Sequence, residues 1–139
     1  MNTKEPLILL AEDDDNDVFF MQRALLKAEI KFPLQVVQNG QQAVDYLNGE
    51  GNFSDRAKHP LPSLILLDLK MPFLDGFEVL DWIRSQSLLK NLPVVVLTSS
   101  AEERDRRKAA ELGAKAYFVK PPNPETLKEI LRFVDAPGN

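Results

Sequence analysis

The run Glu12-Asp13-Asp14-Asp15-Asn16-Asp17 places five acids in six residues, just after the apolar stretch Leu7 to Leu10. Carboxylates packed this densely repel one another unless water, helix amides or a cation relieves them. Asp14 to Asn16 are good N-cap types, and Asp17 suits a first helical turn, where the helix dipole favours negative charge. Glu12 and Asp13 lie at the strand end itself, where capping does not account for them. A further acid, Asp68, follows the apolar run Leu64-Ile65-Leu66-Leu67 and precedes Leu69-Lys70-Met71-Pro72. A carboxylate there is costly to desolvate unless it is paired or metal-bound. Thr98-Ser99-Ser100 ends the run Val94 to Leu97, and Lys120-Pro121-Pro122 ends Ala116 to Val119. Taken singly, the hydroxyl reads as a cap and the lysine as a side chain reaching for solvent. Together with the acids and a metal they supply what phosphoryl transfer to a carboxylate needs. That need is a nucleophile, a cation on the phosphoryl oxygens, and further donors for the rest of the charge.

The elements that must position these groups are short strands alternating with helices. Leu7 to Leu10, Leu64 to Leu67 and Val94 to Leu97 read as strands buried on both faces, and Leu34 to Val37 and Ala116 to Val119 are β-rich runs of similar length. Between them Val18, Met21, Leu25 and Ala28 fall on one helix face, and Leu127, Ile130, Leu131 and Val134 follow the i, i+3, i+4, i+7 rule. Five β-α units in strict alternation imply right-handed crossovers and a doubly wound α/β fold with a five-stranded parallel sheet. Ligands of such sheets gather at the carboxyl ends of the strands, beside the switch point. Asp13 and Asp68 then emerge side by side, and two or three carboxylates with waters suit octahedral Mg²⁺.

Composition narrows the partners. Seventeen basic against twenty-one acidic side chains leave a net charge of −4, which offers no electrostatic footprint for nucleic acid or an anionic membrane. Protein partners or small ligands are expected instead. The absence of cysteine excludes a disulfide framework and thiolate chemistry. The amino-terminal apolar stretch is too short for a signal peptide or a membrane span, so a cytoplasmic location is expected. Residues 1–139 read as one domain with a long surface loop at 49–62, rich in Gly, Pro, Asn and Ser, and with no output domain. His59, the only histidine, lies in that loop and reads as a surface residue rather than a ligand.

Other chemistries fail on particular positions. Asp13, Asp15 and Asp17 mimic the start of a calcium loop, but Val18 stands at its turn glycine and Ala24 at its bidentate glutamate. Neither G-x-G-x-x-G nor G-x-x-x-x-G-K occurs, which argues against a nucleotide enzyme.

The separated sites Glu12-Asp13, Asp68, Met71-Pro72 with Asp75-Gly76, Thr98, and Lys120-Pro121 occur in an order that resembles the receiver domain of two-component response regulators. The resemblance implies a flavodoxin-like (βα)5 sheet with strand order 2-1-3-4-5, and Asp68 as phosphoacceptor. It implies Mg²⁺ or Mn²⁺ held by Glu12, Asp13, Asp68 and the backbone carbonyl of Lys70, with Thr98 and Lys120 on the phosphoryl oxygens. Tyr117 matches the switch aromatic that turns inward after phosphorylation, and Lys120-Pro121 is a candidate cis peptide. Lys70 and Ser100 stand at variable positions that influence how long the acyl phosphate survives. The implied partners are a sensor histidine kinase and a downstream protein, with a homodimer through the fourth helix, fifth strand and fifth helix as one form of output. The 49–62 insertion and the missing output domain are similar to small regulators partnered with bacterial phytochrome kinases. No enzyme activity is implied beyond slow self-phosphorylation and autodephosphorylation. A dehalogenase-type phosphatase would need a second acid two residues beyond its nucleophile, where Lys70 stands, and a substrate cap for which the chain has no room.

Overall fold

The computed structural model describes residues 7–135. Five strands, β1 (Ile8–Ala11), β2 (Leu34–Val37), β3 (Leu64–Leu67), β4 (Val94–Thr98) and β5 (Ala116–Val119), alternate with five helices. These are α1 (Asp15–Lys27), α2 (Gly40–Asn48), α3 (Gly76–Ser85), α4 (Glu103–Glu111) and α5 (Pro124–Asp135). All strand pairs are parallel, in the order β2-β1-β3-β4-β5, as the alternation requires. β1, β3 and β4 are buried throughout because helices cover both faces.

The period-two alternation of the strands divides the core in two. Leu9, Ala11, Ile65, Leu67 and Val96 pack on the side covered by α2, α3 and α4, through Ala43, Tyr46, Val79, Leu80 and Ala109. Ile8, Leu10, Leu66, Val95 and Leu97 face Met21 and Leu25 of α1 and Leu127 and Ile130 of α5. Ala28, expected on the inward face of the first helix, is its exposed C-cap.

Caps set where the helices start. Asp14 accepts from the Asn16 amide at 2.8 Å, Asn39 from the Gln42 amide at 2.8 Å, and Asp75 forms a reciprocal capping box with Glu78. The charged fourth helix begins at Glu103, after a bend at Ser99 and an extended N-cap at Glu102.

The 49–62 segment is less open than its composition implies. Gly49 ends α2 in the left-handed conformation at φ 68°, and a single 3-10 turn follows at Gly51–Phe53. Arg56 then reaches back to the end of α2, donating to the carbonyls of Tyr46 at 2.8 Å and Leu47 at 2.7 Å and to that of His59 at 3.0 Å. The Tyr46 hydroxyl donates to the Pro60 carbonyl at 2.8 Å. His59 is half-buried rather than a surface residue, its ring edge-on to both Tyr46 and Phe53. Apolar Phe53 and the Arg56 fork supply the order that the polar composition hid.

Candidate functional site

Register brings the site together. Ala11 pairs with Leu67, so the next residues, Glu12 and Asp68, leave neighbouring strands side by side. Thr98 pairs with Val119, so Lys120 follows one position beyond the Thr98 level on β5. Glu12, Asp13 and Asp68 each present a carboxylate oxygen within 4.8 Å of the others. Glu12 and Asp68 are buried, whereas Asp13 is exposed at the mouth.

Backbone amides and one ammonium hold this cluster. Asp68 Oδ1 accepts from the Leu69 amide at 2.7 Å, and its Oδ2 accepts from Lys120 Nζ at 3.2 Å. Lys120 Nζ also donates to Glu12 Oε1 at 2.5 Å and to Asp17 Oδ2 at 2.7 Å. Its side chain is only 13% exposed, so it does not run out to solvent as a strand-end lysine usually does. The Lys120-Pro121 peptide is cis. Gly76 fits the turn beneath Asp68 because a Cβ there would meet the Asp68 carbonyl oxygen and stand 2.8 Å from the Leu69 Cα. Lys70 is exposed, and its amide lies 3.5 Å from Asp68 Oδ1.

Three carboxylates, those of Glu12, Asp17 and Asp68, share one ammonium, and the Asp13 carboxylate lies within 4.8 Å of those of Glu12 and Asp68. Burial pushes Glu12 up to about 7, the hydrogen bond from Lys120 opposing and the Asp68 charge adding to the rise. Burial alone would lower Lys120, but hydrogen bonds to Asp17 and Glu12 and the Asp68 charge outweigh it, and its pKa is raised. The two shifts pull in opposite senses for the ion pair they share. Lys120 stays charged, since three acids back it; Glu12 is the group that readily takes a proton, since one ammonium does not neutralise them all. A second positive charge is what the cluster lacks. Clustered oxygen donors, partly open to water through Asp13, fit a hard divalent cation such as Mg²⁺ or Mn²⁺.

Thr98 is fully buried at the end of β4, and its Oγ1 lies 3.4 Å from the Ser100 amide. Ser100 is buried as well, its hydroxyl donating to Asp105 Oδ2 at 2.7 Å and its carbonyl accepting from the Tyr117 hydroxyl at 2.9 Å. Arg106 lies over the Tyr117 ring at 4.6 Å and donates to the Tyr117 carbonyl at 3.2 Å. The Tyr117 side chain is thus half-buried against the bend that follows β4.

Sequence reading missed the partnership of Asp17 with Lys120. The signal was its spacing, because Asp17 lies four residues before buried Met21 and so stands on the inward stripe of α1. The Ser100, Asp105 and Arg106 contacts carried no comparable signal, since polar residues at a helix start are ordinary caps.

A doubly wound sheet carrying an acid pocket with an ammonium at the carboxyl ends of β1, β3 and β5 is the architecture of a signalling receiver. The chain belongs to the response regulator receiver domain family, which it matches over residues 8–132, and so works in phosphorylation-based two-component signalling. It is 38% identical to the response regulator Rcp1 of Synechocystis sp. over 92% of this chain and 83% of Rcp1. The Mn(2+)-bound form of Rcp1 superposes with a TM-score of 0.76 at 37% identity, covering 93% of this chain and 88% of that one. RPA3017, a response regulator in red light signalling of R. palustris, gives a TM-score of 0.85 at 35% identity over 92% of each chain. The phosphorylated cyanobacterial phytochrome response regulator RcpA gives 0.79 at 35% identity, over 95% of this chain and 92% of that one. Among the described residues no helix is long and apolar enough to cross a membrane.

Proposed function

We propose that this chain is a cytoplasmic receiver whose Asp68 takes a phosphoryl group from a sensor histidine kinase of the phytochrome class. The observation that carries the reading is the convergence of Glu12, Asp13, Asp68 and Lys120 on one pocket at the sheet edge. Phytochrome-linked and red-light regulators among its relatives support the kinase class.

In the transfer, a carboxylate oxygen of Asp68 forms a bond to phosphorus as the bond from phosphorus to the kinase imidazole nitrogen breaks. The Leu69 amide already fixes the orientation of the Asp68 carboxylate. Glu12, Asp13, Asp68 and the Lys70 carbonyl would hold Mg²⁺ or Mn²⁺, which when bound offsets the negative charge gathered on the phosphoryl oxygens. Lys120, at 3.2 Å from Asp68, follows that charge onto a phosphoryl oxygen, and the Thr98 hydroxyl donates to another. The Asp68 acyl phosphate brings new charge and acceptor oxygens that Thr98 and Lys120 bind only when their loops close. The closed state is read by a downstream protein across α4, β5 and α5, where a homodimer can also form. The product is a signalling state rather than a released compound, so turnover is limited to slow self-phosphorylation and autodephosphorylation.

The test is intact-mass measurement after incubation with a small acyl-phosphate donor and Mg²⁺. Wild type should gain one phosphoryl group, and Asp68→Asn none. Equal incorporation by both would overturn the assignment.

A further inference from the structure

At the opposite end of the sheet, one recess is rimmed by basic side chains. Val94 opens β4 and Lys115 immediately precedes β5, and between them and the end of α3 lies a recess of about 210 Å³. Its floor is apolar, with buried Leu80, Ile83 and Leu89 facing it. Arg84, Lys90 and Lys115 stand around it, and no acid lines it. Arg84 is engaged, donating to the Glu111 carbonyl at 3.1 Å and pairing with Asp81 at 3.4 Å. Among the described residues neither Lys90 nor Lys115 has an ion-pair partner. Leu88, which precedes the lining residue Leu89 in the chain, is 95% exposed.

We infer that this recess docks an acidic protein segment carrying an aliphatic side chain, the side chain entering between Leu80, Ile83 and Leu89 and the acids meeting Lys90 and Lys115. Charge complementarity selects the occupant. In a chain of net charge −4 a basic-rimmed apolar recess is a local exception, and an acidic segment is repelled from the end that holds Glu12, Asp13 and Asp68 and drawn to this one. A recess of about 210 Å³ suits a single anchoring side chain rather than a drug-sized ligand, for which cavities of about 300–1,000 Å³ are usual. This site is separate from the phosphoacceptor pocket and does not depend on its chemistry.

The probe is the peptide acetyl-Glu-Asp-Leu-Glu-Asp-amide, titrated into the isotope-labelled full chain while amide chemical shifts are followed. Two controls replace the peptide's Leu by Ser or its four acids by Lys. Saturable shifts are expected at Leu89, Leu112, Gly113 and Lys115, weakened about tenfold by Lys90→Glu with Lys115→Glu and lost with either control peptide. Amide spectra of the double variant establish that it remains folded. Shifts that are absent at millimolar peptide, scattered over the surface, centred on Glu12 and Asp13, or unchanged by the charge reversal would overturn the inference.

Discussion

The Tyr117 hydroxyl donates to the Ser100 carbonyl at 2.9 Å, tying the middle of β5 to the bend that follows β4. Because Ser100 also reaches Asp105 on α4 and approaches Thr98, one small residue stands between the Thr98 hydroxyl and the charged helix. Movement of Thr98 toward a phosphoryl group, as proposed above, would pull on Tyr117 and α4 together. Removing only the tyrosine hydroxyl isolates this contact. Tyr117→Phe should lower stability by about 1 kcal/mol, the usual net value of such a hydrogen bond, as read from urea unfolding midpoints. A change near zero would mean that Arg106 alone holds the ring.

A divalent cation bound as proposed would compete with Lys120 for the same carboxylates. Without metal, Lys120→Ala leaves buried Glu12 and Asp68 facing each other with no counter-charge, a loss of about 3 kcal/mol at neutral pH for a broken buried pair. With metal the sign reverses, since removing one positive charge lowers the repulsion that an entering cation meets. Titration calorimetry should show tighter Mg²⁺ binding in Lys120→Ala than in wild type, although phosphoryl transfer is lost. Weaker binding in the variant would mean that Lys120 preorganises the acids more than it competes for them.

Arg56 spans from the 49–62 segment to the end of α2 with three hydrogen bonds to carbonyls. Arg56→Ala leaves the Leu47 carbonyl without its donor and the Tyr46 carbonyl with only the Gly49 amide at 3.2 Å, at a helix end whose last carbonyls lack intrahelical partners. Destabilisation of about 2 kcal/mol is expected, with faster amide hydrogen exchange confined to residues 50–60. Faster exchange across the whole of α2 would show that the fork supports the helix itself.

The strand-helix alternation was legible because β1, β3 and β4 are covered on both faces, which demands unbroken apolar runs such as Leu64 to Leu67. Once the strands are parallel, register alone brings Glu12 beside Asp68, so the acid pocket follows from runs and their ends. The 49–62 segment was illegible because a single arginine and two aromatic rings order it, and none of these has a periodic signature. The partners of Tyr117 were equally hidden, resting on a backbone carbonyl at Ser100 and a cation over its ring, neither of which a residue type announces. Asp17 lay between these cases, readable as a cap by type and as a site residue by its place on the inward face of α1.

Acid should weaken metal binding through Glu12. Its carboxyl is raised to about 7, chiefly by burial, so the metal-free folded protein holds a proton there that the unfolded chain releases at its ordinary value of 4.5. The folded state therefore binds more protons between those two values, and metal-free stability falls as pH rises through that window. Metal binding has the opposite sign, because a coordinating carboxylate must first lose its proton. Between about pH 6 and about pH 8 the ionised fraction of a group titrating near 7 rises about tenfold, and apparent Mg²⁺ affinity should rise with it. Glu12→Gln removes the titrating group and should flatten that dependence while weakening binding at the alkaline end. Affinity that keeps the same pH slope in Glu12→Gln would show that the proton is not held by Glu12.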